Sequence, residues 1–226
     1  MKTIILPESE LYTQAAEEIA ALISEKPSAV IALSYDETLA EIYKELAKLC
    51  SAGKLSLKST TIFQVMEFEN TTLIKDRLVD ELIRKTDADP KNFFTFDHMT
   101  IEEYDMRIAE LGGIDIAVLD LGYKGQFGFN EPATLYSSLC HRQKLTDSTI
   151  EKYAFLNAEL PEYGVTIGIN TIAFSKDILI AACGEKSSDA VFGMLYGRDD
   201  GTIPAAFLQL PLNVTVYADT VSAEKL

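Results

Sequence analysis

The chain has 226 residues, 47% of them hydrophobic, and sets 20 lysines and arginines against 35 aspartates and glutamates, for a formal charge of −15. That length can bury a large core in one domain; no stretch is long and apolar enough to cross a bilayer, and the acidic surplus disfavours nucleic acid and anionic membrane surfaces as partners. Cys50, Cys140 and Cys183 are too few and too scattered for a disulfide framework or a zinc site, so a cytoplasmic protein with no metal and no cofactor is expected.

The N-terminus, MKTIILPESE, has a short apolar run that ends at Pro7 and acids, and predicts a first strand rather than a secretion signal. Leu11, Ala15, Ile19, Leu22 and Ile23 recur at helical spacing up to Lys26, with Pro27 as the stop. Ser28 to Leu33 reads as a buried strand, and Leu39 to Cys50 as an amphipathic helix that ends near Gly53. Between them lies the junction Ser34-Tyr35-Asp36-Glu37-Thr38, where helix N–H groups face an anion in many α/β proteins. A strand over Thr60 to Val65, a helix over Thr71 to Lys85, an aromatic strand at Asn92 to Phe96 and a charged helix from Ile101 to Leu111 follow.

The apolar run Ile114 to Leu121 predicts a strand covered on both faces. Beyond Pro132 the stretch 133–161 is polar and poorly periodic, a lid, an irregular excursion or a plain surface loop. Strands are expected again at Val165 to Ile169 and Asp177 to Ala182. A helix opens at Gly184-Glu185-Lys186, a helical turn covers Pro204 to Leu210, and Asn213 to Tyr217 closes the order. The alternation predicts one α/β domain over 1–226, an open and mostly parallel, Rossmann-like sheet with helices on both faces.

After the Ile114 to Leu121 strand, Gly122, Gly125 and Gly128 recur at intervals of three, which lets the backbone turn and bring N–H groups to a ligand. The spacing fits neither a dinucleotide nor a nucleoside triphosphate loop. Pro132 holds Glu131 extended, as a positioned acid or base requires. These residues, LGYKGQFGFNEPA, resemble the G-x-x-G-x-x-x-F-N-E-P signature of the glucosamine-6-phosphate and galactosamine-6-phosphate isomerase/deaminase family. The related phosphogluconolactonases share the glycines but not FNEP. The likeness runs along nearly the whole chain, through PSAVIAL, TIGINTI, CGEK and FLQL.

The resemblance implies four chemical features, and the chain departs from each. The phosphate loop, glycine- and threonine-rich in the family, reads SYDET here, with Asp36 and Glu37 where two glycines are expected. Turned inward, each carboxylate costs about 3 kcal/mol against a phosphate charge at about 5 Å and an effective dielectric near 20. Turned outward, the two acids favour the helix dipole. The family's Asp-Glu-Tyr, whose Asp moves a proton between the first two sugar carbons, becomes Met66-Glu67-Phe68, and a thioether accepts no proton. The Asp and His of the glycine loop become Lys124 and Gln126, and the phosphate-contacting Lys becomes Ser187, with Lys186 one residue early. His98 and His141 lie outside the motif.

The first functional reading is therefore a divergent isomerase or deaminase of amino-sugar 6-phosphates, weak or altered in activity, with Glu131 as the surviving acid or base and Glu67 as a replacement base. Its pocket comprises Ser34, Tyr35, Asp36, Glu37, Thr38, Met66, Gly122, Lys124, Gly125, Gln126, Asn130, Lys186 and Ser187. The second is a non-catalytic protein that binds a sugar or sugar phosphate, or regulates, on the same fold. The third is a subunit that lends surface to a homo-oligomer. The charge layout also suggests a ligand with a neutral or cationic end toward Asp36 and an anionic group toward Lys124.

Overall fold

The computed structural model describes residues 1–198, 200–211 and 213–226. In chain order, β1 is Lys2–Leu6, α1 Glu8–Glu25, β2 Val30–Leu33, α2 Glu37–Ser51, β3 Thr61–Gln64, β4 Met66–Phe68 and α3 Leu73–Glu81. Next come β5 Phe93–Phe94, α4 Ile101–Glu110, β6 Ile116–Asp120, β7 His141–Lys144, α5 Asp147–Lys152 and β8 Tyr163–Thr166. The order ends with α6 Ile169–Ala173, β9 Asp177–Ala182, α7 Ser188–Tyr196 and β10 Val214–Asp219.

Seven strands form one sheet in the order β1-β10-β9-β6-β2-β3-β5, and every pairing in it is parallel. All five residues of β6 and all four of β2 are buried, as a parallel sheet covered on both faces requires. The chain leaves β2 toward β3 on one side and leaves β6 toward β9 on the other, so the crevice at the carboxyl ends of β2 and β6 is the switch point of the topology. At the opposite end, Asp115 stitches three strand starts together. It accepts from Val30 N–H at 2.8 Å and from Lys26 and Lys176 at 2.6 Å each. Burial alone would raise its carboxyl; the hydrogen bonds from Lys176 and Lys26 outweigh that and hold it below the usual aspartate range.

A second, antiparallel sheet, β4-β8-β7, stands beside the strand ends, with Glu67 opposite Val165 and Arg142 opposite the same residue on the other side. Sequence periodicity did not anticipate it. The stretch 133–161 contains β7, α5 and a 3-10 turn at Tyr153–Leu156, held by pairing to β8 rather than by an apolar repeat of its own. The strand expected over Val165 to Ile169 ends at Thr166, and α6 begins at Ile169. Gly168 marks the break, because a Cβ there would lie 2.1 Å from the Leu139 carbonyl oxygen.

Candidate active site at the strand ends

The switch-point crevice is occupied by charge. Asp120, the last residue of β6, is 1% exposed and accepts from four donors: Ser34 Oγ, Gly128 N–H at 2.9 Å, Tyr153 OH at 3.0 Å and Lys152 Nζ at 2.6 Å. Lys152 Nζ also lies 3.1 Å from Asp36 Oδ2, and the side chains of both are nine-tenths buried. Asp36 caps α2 as well, accepting from Leu39 N–H at 2.8 Å. One carboxylate therefore does both things the sequence offered as alternatives: it terminates a helix and faces the crevice.

The titration of this cluster follows from its geometry. Burial raises the Asp36 carboxyl above its ordinary value, against the pull of Lys152. Burial would lower the Lys152 ammonium, but Asp120 and Asp36 together outweigh it, and the group is raised. Burial likewise pushes the Tyr153 phenol well up, which keeps it a donor to Asp120. Around them Tyr35 is buried, its hydroxyl pushed up by burial to about 12, and its ring lies 6.4 Å from Phe155. Met66 is fully buried, with its sulfur 3.2 Å from Ser34 Oγ.

Glu131 is 1% exposed and its carboxylate is surrounded by donors. It accepts from Thr146 N–H and Thr146 Oγ1 at 3.0 Å each, from Thr149 Oγ1 at 2.5 Å and from Gln126 Nε2 at 3.1 Å. Gln126 in turn accepts from Lys124 N–H at 2.9 Å through Oε1, so the pair fastens the glycine loop to the start of α5. Gly125, at φ 77°, makes the turn that permits this, and a side chain there would also strike Ile203. Gly122 N–H donates to the Gln126 carbonyl at 2.7 Å. Asn130 is buried and donates through Nδ2 to Phe127 and Ile167 carbonyls at 3.0 Å.

Glu67 points away from this crevice. It accepts from Ile74 N–H at 3.1 Å, Lys75 N–H at 2.9 Å, Phe68 N–H at 2.9 Å and Gln64 Nε2 at 2.8 Å, and so caps the first turn of α3. Burial raises its carboxyl, with those N–H donors pulling the other way.

A cleft of about 80 Å³ remains above the Asp36–Lys152 pair, lined also by Glu37, Thr38, Tyr123, Phe155 and Ser187. Ser187 is buried, and its hydroxyl donates to the Cys183 carbonyl at 3.0 Å. Lys186 is exposed, paired with Glu151 at 2.6 Å, and stands 5.2 Å from the Tyr123 ring centre. Lys124 is exposed in a different cleft, of about 200 Å³, beside Pro132, Asp189, Thr202 and Ile203. Tyr123 is the residue the two clefts share.

The crevice thus gathers Ser34, Asp36 and the start of α2, while Glu131, Gln126 and Asn130 lie packed beneath the glycine loop. The Glu67 carboxylate and the Lys124 side chain lie apart from both. Reading the sequence missed Asp120, Lys152 and Tyr153. Asp120 had a signal, a charge closing an otherwise apolar strand. Thr146-Asp147-Ser148-Thr149 carried helix-start residues that would have announced α5, but nothing marked Lys152 among the surface lysines.

Fold and crevice together define a doubly wound α/β protein with a buried charged cluster at its switch point. No sequence-family profile matches the chain. It is 31% identical to a glucosamine-6-phosphate deaminase of Clostridium botulinum, over 96% of the chain and 95% of that protein, and 33% identical to one of Clostridioides difficile, over 94% and 91%. A solved monomeric glucosamine-6-phosphate deaminase superposes with a TM-score of 0.93 at 29% identity, covering 99% of both chains. A 6-phosphogluconolactonase from Trypanosoma brucei, at 18% identity and a TM-score of 0.76 over 100% of this chain and 98% of that one, shares the fold. The chain belongs to the glucosamine-6-phosphate deaminase family.

Proposed function

We propose that this chain is a family member whose amino-sugar-phosphate site is closed by its own side chains, so that isomerisation and deamination of glucosamine 6-phosphate or galactosamine 6-phosphate are residual or absent. Its present role is then binding or regulation. The observation that carries this reading is the Lys152 ammonium held between Asp36 and Asp120 at the switch point. In this family's fold that crevice is where a sugar phosphate would bind. A cleft of about 80 Å³ is far smaller than the roughly 300–1,000 Å³ of ordinary small-molecule sites.

Two further features support the loss of chemistry. Moving a proton between neighbouring sugar carbons needs a base within hydrogen-bond reach, and Met66 offers a thioether there. Glu131, the retained carboxylate, accepts from Gln126, Thr146 and Thr149 and acts as a tie between loop and helix. The test is release of ammonia and ketose phosphate from the two amino-sugar 6-phosphates. Wild type is expected to give a rate at or little above that of buffer, unchanged by Glu131→Gln; brisk turnover by wild type that Glu131→Gln abolishes would overturn the proposal.

A further inference from the structure

The lining of the same cleft combines a buried ion pair, aromatic side chains and an exposed acid, and the ion pair is Asp36–Lys152. The ammonium has three N–H donors, of which Asp120 at 2.6 Å and Asp36 at 3.1 Å take two. That leaves one N–H of the ammonium, and Asp36 accepts from Leu39 N–H and pairs with Lys152, with both side chains among the residues that line the cleft. Tyr123 and Phe155 line its sides, and the exposed Glu37 stands among the lining residues.

We infer that this cleft takes the vicinal diol edge of an unphosphorylated sugar or polyol, one hydroxyl accepting from Lys152 and its neighbour donating to Asp36. The inference rests on the binding role proposed above and names its ligand class. Size agrees: about 80 Å³ is room for a few water-sized groups, such as one edge of a pyranose. The rest of the ring would lie beside Tyr123 and Phe155, which line the cleft. Charge agrees as well. One ammonium against Asp36, Asp120 and Glu37 leaves the site at net −2 with its carboxylates ionised, and Lys186 is already paired with Glu151. A phosphate dianion is repelled there, while a neutral hydroxyl pair or an amino sugar is not.

Titration calorimetry and saturation-transfer NMR with glucose, glucosamine and their 6-phosphates test this on the full chain. Both free sugars are expected to bind saturably, each at least about tenfold more tightly than its 6-phosphate. Glu37→Gln, at an exposed position that leaves folding alone, is expected to narrow that gap by about threefold, and Tyr123→Ala to weaken both free sugars. Absence of saturable binding by either free sugar, tighter binding of the phosphates, or indifference to Tyr123→Ala would overturn the inference. Amino-sugar-phosphate turnover would instead overturn the functional proposal, so the two failures are distinguishable.

Discussion

Replacing Lys152 with methionine would leave the Asp36 and Asp120 carboxylates buried at the strand ends with no cation between them. Breaking a buried ion pair from one side costs about 3–5 kcal/mol. Urea unfolding of Lys152→Met at neutral pH is expected to show a loss of that size, partly recovered when Asp120→Asn is added; a loss below about 1 kcal/mol would mean the charges are solvated. The sign with pH also follows. The folded ammonium is raised above its ordinary 10.5, so its stabilisation is complete below that value and disappears as pH rises through the folded value. Wild type is therefore expected to lose stability on that alkaline limb and the variant to lack this component. At this scale the sequence revealed substitutions and not their consequences. Met66 and Gln126 could be seen to lack proton chemistry, Lys124 to reverse a charge, and Asp36 could be seen in the phosphate loop. Lys152 could not be connected to it, because 116 positions separate it from Asp36 and their pairing depends on tertiary packing.

At the scale of elements, hydrophobic periodicity identified the helices α1, α2 and α4 and the buried strands β2, β6 and β9, since each draws its burial from its own pattern. It failed where an element is held by a partner. β7, with the burial alternation of HRQK, exists through its pairing with β8, and α5 through Thr146 and the Glu131 tie. The same dependence decides Glu67: the sequence left a replacement base and a structural carboxylate both open, and within the fold it accepts from N–H groups at the start of α3. Asp115 gives a test of how strand starts are fastened. Asp115→Asn removes the charge that Lys26 and Lys176 share and is expected to destabilise by about 1–3 kcal/mol at neutral pH. Because the folded carboxyl is depressed, that contribution is present above the ordinary value of 3.8 and is lost as pH falls through the folded value. Urea midpoints of wild type and variant should therefore converge in acid, and a constant gap down to pH 2 would contradict the ion-pair assignment.

Across the whole molecule, alternation of strands and helices was enough to anticipate the parallel sheet, and the glycine loop with FNEP was enough to anticipate the family. The overall charge of −15 was also plain, but its local arrangement was not. Only the packed chain shows that the buried Lys152 of the crevice lies between two carboxylates, Asp36 and Asp120, and on the proposal above that arrangement closes the crevice to phosphate. Calorimetric titration of the wild-type protein with glucosamine 6-phosphate near pH 7.5 tests that closure most directly. No saturable heat is expected up to about 10 mM, weaker than the roughly −4 kcal/mol of a millimolar complex; a micromolar dissociation constant would contradict a crevice closed by Lys152, Asp36 and Asp120.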